Sequence, residues 1–120
     1  MFSLDHRDAR PIYEQIRDGL RRMIVTGALA PDEKLPSVRA LAMELAINPN
    51  TIQRAYAELE TEGYTYSVPG KGIFAAQRQA AAPARLETLL ERLTELLTEL
   101  HFLEVPLEAV TARVEEVYHD

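Results

Sequence analysis

Polar side chains that can bond to nucleobase edges or to phosphates occur at helical spacing between residues 48 and 54. Glutamine bonds adenine through two hydrogen bonds, arginine bonds guanine or a phosphate, and threonine contacts a phosphate or a thymine methyl group. An asparagine–proline pair comes first and is typical of the cap and first turn of a helix. The candidate DNA-contacting side chains are Asn48, Asn50, Thr51, Gln53 and Arg54.

Two further basic residues lie in local settings that suit contact with a phosphate backbone. Arg39 follows a predicted helix N-terminus at Ser37, and its planar guanidinium group matches a phosphate. Lys71 lies between Gly70 and Gly72 in a predicted turn, where glycine permits positive φ and a close backbone approach. Each has an ordinary alternative, because exposed arginines pair with nearby carboxylates and Pro-Gly-Lys-Gly is a common turn.

Two short helices position the first group of side chains. The first begins after the cap Ser37, with apolar residues at i, i+3, i+4 and i+7. The second begins at the cap Asn48 with Pro49 in its first turn, and it ends at Gly63. This spacing predicts a helix-turn-helix, in which the start of the second helix enters the DNA major groove.

A helix precedes this pair and a β-hairpin follows it. Pro11 suits the first position of the earlier helix, and Gly27 is its predicted C-terminal cap. Residues 64–68 alternate large apolar and small polar side chains, and residues 73–75 are predicted to return as the second strand. The tyrosines of these elements are predicted to be core residues: Tyr13, Tyr56, Tyr64 and Tyr66. The order of elements predicts a winged helix.

The composition changes after residue 76. Residues 77–84 are small, polar and marked by proline, which predicts a linker. Beyond it, two amphipathic helices are predicted, the first over residues 85–102 and the second after Pro106. Because neither can bury its apolar stripe alone, the pair is predicted to form a dimer interface. The predicted interface residues are Leu86, Leu89, Leu90, Leu93, Leu96, Leu97, Leu100, Leu107, Val110, Val114 and Val117.

Charge is distributed unevenly along the chain. The net charge of −6 opposes nucleic-acid binding at first sight, since basic surfaces supply most of that affinity. Residues 1–79, however, carry ten Lys/Arg and ten Asp/Glu, whereas residues 80–120 carry three Lys/Arg and nine Asp/Glu. All of the acidic excess therefore lies in the C-terminal part, and a neutral N-terminal part can still present a basic face.

Several classes of function are disfavoured by the sequence. It has no phosphate-binding glycine-rich loop, nucleophile elbow or HExxH pair, so an enzyme is not expected. Cysteine is absent, and His6, His101 and His119 lack metal-ligand spacing, so no metal or cofactor is expected. No apolar stretch has membrane-spanning length, and the N-terminus lacks the pattern of a signal peptide. These features predict a cytoplasmic location.

Four segments resemble, in order, the GntR family of bacterial transcriptional regulators. They are PIYEQI at residues 11–16, LPSVRALA at 35–42, NPNTIQRAY at 48–56 and PGKGIF at 69–74. The resemblance covers roughly residues 10–76 and implies a winged helix with an arginine, here Arg39, against DNA. Many members carry a large C-terminal effector-binding or aminotransferase-like domain. The short C-terminal part here resembles the YtrA-like subfamily, whose helices serve mainly for dimerisation and whose target genes often encode ABC transporters.

Together these observations predict a mainly α-helical protein with a small β-hairpin. The predicted domains are a winged helix-turn-helix over residues 1–76, a linker over 77–84 and a two-helix dimerisation element over 85–120. The predicted function is sequence-specific binding of an inverted-repeat operator by a homodimer that represses transcription. Two alternatives remain open: a protein-interaction module on a winged-helix scaffold, and a small-molecule sensor, although the sequence gives no support for an effector pocket.

Overall fold

The elements follow the order that the sequence predicts. The computed structural model describes residues 4–5, 7–77 and 82–119. It contains α1 (Ile12–Thr26), α2 (Val38–Leu45), α3 (Pro49–Thr61), β1 (Thr65–Val68), β2 (Gly72–Ala75), α4 (Pro83–Phe102) and α5 (Leu107–Tyr118). The chain divides into two compact units, Met1–Arg85 and Leu86–Asp120, which we call the head and the tail.

The core of the head lies between α1, α2 and α3. Each helix buries the apolar face that its spacing predicts, since residues three and four positions apart lie on the same side of a helix. Large side chains with less than about 2% exposure fill the centre: Ile16, Leu20, Leu35, Leu41, Ile52, Tyr56 and Leu59. This core holds α2 and α3 in a fixed relation, which a helix-turn-helix requires.

Local capping explains where the helices begin and end. The Ser37 hydroxyl accepts a hydrogen bond from the Ala40 amide at 3.1 Å, and Gly27 ends α1 with a φ of 86°. Both predicted caps are confirmed. The prediction for Pro11 was wrong by one residue, because α1 begins at Ile12. Pro11 keeps an extended ψ of 146° and precedes the helix as its N-cap.

A third extended segment flanks the hairpin and was not expected. Strands β1 and β2 pair antiparallel, with Val68 opposite Gly72. On the other edge of β2, Lys34 forms a bridge to Phe74, and the Leu35 amide donates to the Ile73 carbonyl at 2.8 Å. From the sequence, the prolines in this region indicate only an irregular connection. The pairing anchors this connection to the wing, the name used below for the β-hairpin.

The strand register decides which aromatic side chains are buried. Tyr56 is a core residue as predicted, with 2% exposure, and Tyr13 and Tyr64 are half-buried. The prediction for Tyr66 was wrong, because β1 turns the small Thr65 inward and Tyr66 outward, with 37% exposure. The Tyr66 ring stacks on Phe74 at a centroid distance of 5.6 Å.

One partly buried hydrogen bond joins α3 to the connection before α2. The Tyr56 hydroxyl donates to the Pro36 carbonyl at 2.7 Å. Replacing Tyr56 by phenylalanine leaves that carbonyl unpaired, so we expect the free energy of unfolding to fall by about 1–2 kcal/mol. Urea unfolding measures the change. Tyr66→Phe is the matched control and is expected to cost less than about 0.5 kcal/mol, since that hydroxyl is exposed. Equal values for the two variants would contradict the expectation.

The beginning of α4 belongs to the head. The helix starts at Pro83, two residues before the predicted start at Arg85. The Ala82 amide donates to the Glu62 carbonyl at 3.0 Å, which brings the chain to the head, and proline is tolerated in a first turn because it needs no amide partner. Arg85 is only 8% exposed. Residues 78–81 of the predicted linker lie outside the described residues.

The tail exposes the apolar stripe that the sequence predicts as an interface. Of its residues, Leu100 and Val110 are half-buried, whereas the others are exposed: Leu86, Leu89, Leu90, Leu93, Leu96, Leu97, Leu107, Val114 and Val117. Across the part of the chain that the structure describes, no helix combines the length and the apolar character needed to cross a bilayer.

Candidate nucleic-acid interface

The first turns of α3 present polar side chains to solvent. Packing of Ile52 and Tyr56 into the core fixes the rotation of this helix. Consequently Asn50 and Gln53 are exposed, and Thr51 is half-buried. These are the positions from which the second helix of a helix-turn-helix reaches base edges.

Asn48 acts as the N-cap of α3. Its side-chain oxygen accepts a hydrogen bond from the Asn50 amide at 2.8 Å, and Pro49 follows in the first turn. The predicted cap is therefore confirmed. Because the oxygen is engaged, the side-chain NH₂ group is the part of Asn48 that remains for contact with DNA.

Arg54 is held against α1. Its guanidinium carbon lies 3.6 Å from the centroid of the Tyr13 ring, and Nη2 donates to the Tyr13 hydroxyl at 3.0 Å. Nε of Arg54 also lies 3.5 Å from Oε2 of Glu58. The side chain is nevertheless 61% exposed. The sequence did not suggest Tyr13 as a partner, since the two residues are 41 positions apart and no local pattern links them.

The contact between Arg54 and Tyr13 predicts a measurable energetic coupling. A cation over an aromatic ring at a partly exposed site contributes about 0.5–1 kcal/mol. We therefore expect Tyr13→Leu and Arg54→Ala to destabilise the protein by less in combination than the sum of the two single changes, by about that amount. A double-mutant cycle from urea unfolding measures the coupling. Strictly additive effects would show that the stacked pair contributes nothing.

Carboxylates on α1 and α3 neutralise several arginines of the head. Oδ2 of Asp18 lies 2.6 Å from Nη1 of Arg10, and its Oδ1 lies 3.1 Å from Nε of Arg17 and 3.0 Å from Nη1 of Arg21. Oε1 of Glu58 lies 2.6 Å from Nη1 of Arg17. Burial opposes ionisation of Asp18, but the hydrogen bond from Arg17 and the neighbouring positive charges outweigh it and lower the pKa of this carboxyl. Because the pKa of Asp18 is lower in the folded than in the unfolded chain, its ion pairs stabilise the head at neutral pH, and that contribution is lost as the pH falls below about 4.

The remaining cations of the head stay unpaired. Among its described basic residues, those without an ion pair are Arg22, Lys34, Arg39 and Lys71, and all four are exposed. Ion pairing removes charges of both signs and leaves the net charge of the head unchanged. These four cations are the local positive charges that an anionic partner can meet.

The wing and the start of α2 line one groove. The Lys71 amide donates to the Val68 carbonyl at 2.9 Å, which closes the turn, and Gly70 adopts a φ of 76° with open space beside it. The groove has a volume of about 420 Å³. Its polar and turn residues are Lys34, Ser37, Gly70, Lys71 and Gly72. Arg39 is exposed on α2, one residue beyond Val38 of the same groove.

Gln53 and the remaining α3 side chains border two other surfaces. Gln53 lies beside β1, near Thr65 and Ser67. Asn50 and Thr51 instead share a shallow depression with Arg54 and the start of α1. The structure therefore brings Gly70, Lys71 and Gly72 together with the start of α2, whereas the α3 residues face the wing on one side and α1 on the other.

This geometry defines a winged helix-turn-helix with exposed polar side chains at the start of its second motif helix. The sequence-family model for the bacterial regulatory proteins of the gntR family matches residues 12–75 of this chain. The chain is also 34% identical to the HTH-type transcriptional repressor YtrA of Bacillus subtilis, over 100% of this chain and 94% of that protein. The chain therefore belongs to the GntR family. This confirms the predicted family and the predicted class, a DNA-binding transcriptional regulator.

Solved structures support the same assignment. A transcriptional antiterminator from Listeria monocytogenes EGD-e is similar over 98% of this chain and 90% of its own, with a TM-score of 0.79 and 33% identity. The DNA-binding domain of AraR in complex with operator ORE1 is similar over 63% of this chain and 93% of its own, with a TM-score of 0.54 and 30% identity. The predicted fold, a winged helix-turn-helix followed by C-terminal helices, is confirmed.

Proposed function

We propose that the protein represses transcription by binding an inverted-repeat operator in double-stranded DNA as a homodimer. The observation that carries the proposal is the combination of an exposed polar start of α3 with unpaired cations on α2 and the wing. Names of similar proteins agree: YtrA is a repressor, and AraR was solved with its operator. Occupying a promoter blocks transcription without further machinery.

The proposed DNA contacts divide into base reading and phosphate binding. Gln53, Asn50 and Asn48 offer amide groups to base edges, and Thr51 offers a hydroxyl and a methyl group. Phosphate contacts are assigned to the guanidinium and ammonium groups and to the glycine backbone of the wing. These residues are Arg39, Arg54, Gly70, Lys71 and Gly72.

The exposed stripe of the tail supports the proposed dimer. A contiguous apolar surface of this length is unusual on a soluble monomer, because burying it in a second copy removes it from water. In a twofold dimer the two heads face DNA in opposite orientations. The expected binding site is therefore an inverted repeat. We propose that residues 1–76 bind DNA, that residues 77–84 link the two parts, and that residues 85–120 form the dimer interface. Arg85, at the boundary, packs against the head.

The proposed activity needs no catalytic step and no cofactor. Because it requires access to the chromosome, the proposal includes a cytoplasmic location. We assign no effector, because no observation favours a ligand pocket over the DNA-binding surface. A protein-interaction module remains the alternative that the experiment below separates from the proposal.

Selection of bound sequences from a random duplex pool tests the proposal. The full chain is expected to enrich duplexes that contain an inverted repeat, and the variant Arg39→Ala/Lys71→Ala is expected to enrich none. The distance between the half-sites reports the separation of the two heads. If the wild-type chain enriches no sequence and binds duplexes without dependence on salt, the interaction module replaces the DNA-binding proposal.

A further inference from the structure

We propose that Lys34, together with Lys71, binds the phosphate backbone of DNA in the groove between the wing and α2. The inference rests on the proposed function and adds to it a phosphate-binding residue that the sequence did not single out.

The backbone of Lys34 is anchored beside the wing. Lys34 forms a β-bridge to Phe74, and the next residue, Leu35, donates its amide to the Ile73 carbonyl at 2.8 Å. Leu35 itself is buried, with 2% exposure. Lys34 thus occupies a rigid part of the fold, although it lies in a connection between helices. A rigid backbone lowers the entropy cost of placing a long side chain against a ligand.

The side chain of Lys34 passes directly over Gly72. A Cβ atom on residue 72 would lie 2.8 Å from Cε and 3.6 Å from Nζ of Lys34. The Lys34 side chain therefore lies directly against the wing backbone, where Gly72 adopts a φ of 130° that L side chains rarely adopt. At Gly70, by contrast, a Cβ atom would meet no other atom within 4 Å. Lys34 thus lies beside Gly72 and not beside Gly70.

No carboxylate of the described residues neutralises Lys34 or Lys71. The two acidic neighbours of Lys34 are engaged elsewhere: Glu33 accepts a hydrogen bond from the Ala30 amide at 3.0 Å, and Asp32 accepts one from the Tyr66 hydroxyl at 2.7 Å. Two lysines that line one groove without a counter-ion repel each other, and an anion between them relieves that repulsion. A phosphate of the DNA backbone is the anion that the proposed function supplies.

Titration of a duplex at several salt concentrations tests the proposal. The probes are the duplex that the wild-type full chain enriches most and a shuffled duplex of the same composition. Lys34→Met keeps the apolar part of the side chain and removes its charge. A dimer of this variant therefore lacks two phosphate contacts, one in each head. At 0.15 M salt we expect about 30-fold weaker binding and a log–log salt slope shallower by about 1.8, because each phosphate contact contributes about 0.9.

Two controls make the result specific. Lys34→Arg retains a cation and is expected to bind within about threefold of wild type. Arg22→Met removes an exposed, unpaired cation of α1 that does not line the groove, and it is expected to leave the salt slope unchanged. A phosphate contact weakens binding to both duplexes equally, whereas a base contact would weaken only the selected one.

The outcomes separate this inference from the function on which it rests. If wild type binds with a steep salt slope and Lys34→Met behaves as Arg22→Met does, the role of Lys34 is refuted and the proposed function stands. If wild type binds neither duplex, the proposed function fails. A loss of affinity for the selected duplex alone would also refute the inference, since it would make Lys34 a base-reading residue.

Discussion

A protein with Leu93→Glu and Leu97→Glu is expected to sediment as a monomer at micromolar concentration and to bind its operator at least about 100-fold more weakly. Both leucines lie in the exposed stripe of α4. Carboxylates at these positions would have to lose their hydration in an apolar interface, which is strongly unfavourable. Once the dimer is lost, the second head no longer binds at high effective concentration, a gain of about 10²–10⁴ in affinity for linked sites.

The matched control changes charge on the opposite face of the same helix. Glu91→Gln and Glu95→Gln alter two exposed side chains that the helical spacing places away from the leucines. This variant is expected to remain a dimer and to bind as wild type does. A leucine variant that stays dimeric in sedimentation would contradict the assignment of the tail as the dimer interface.

The variant Arg39→Ala/Lys71→Ala is expected to bind its operator about 1000-fold more weakly than wild type at 0.15 M salt. It removes two unpaired cations from each head, hence four phosphate contacts from a dimer, and each contact contributes about 0.9 to the slope of log affinity against log salt. The slope should therefore become shallower by about 3.6. Fluorescence anisotropy over a range of salt concentrations measures both quantities.

The structure makes this double variant informative about DNA binding alone. Neither side chain has an ion pair among the described residues, and both are exposed, so their removal should leave the free energy of unfolding within about 0.5 kcal/mol of wild type. Wild-type affinity and slope in this variant would mean that DNA, if bound, lies against a different face of the head.

Charge segregation reconciles an acidic chain with an anionic partner. The sequence shows that the acidic excess lies after residue 79, but not which arginines are neutralised within the head. Asp18 and Glu58 engage Arg10, Arg17 and Arg21 at distances of 2.6 to 3.1 Å. Counting charges along the chain therefore does not show which cations remain available to DNA, because the pairing depends on the fold, as between Arg17 and Glu58.

The helices were predictable because their signals are local. Ser37 and Asn48 cap α2 and α3 through bonds to amides two or three residues away, and Gly27 ends α1 within one turn. The apolar periodicity of each helix likewise repeats within four residues. The correct order of elements followed from these signals, and the order in turn defined the winged helix.

The features that the sequence did not reveal depend on long-range contacts. The outward position of Tyr66 follows from strand register, which a shift of one residue reverses. Lys34 is brought to the wing by pairing with a strand forty positions later, and Tyr13 meets Arg54 across 41 positions. Burial of Arg85 depends on Glu62 and Tyr64, which lie beyond any local pattern.

Binding to a duplex in which the sequence of one half-site is scrambled tests the central claim most directly. The full chain is mixed with the selected inverted repeat and with the same duplex after one half-site has been scrambled, and stoichiometry and affinity are measured by sedimentation and anisotropy. We expect two chains per intact duplex and at least about 100-fold weaker binding to the duplex with the scrambled half-site. One chain per duplex, or equal affinity for both, would contradict the account of two heads joined through their tails on a symmetric operator.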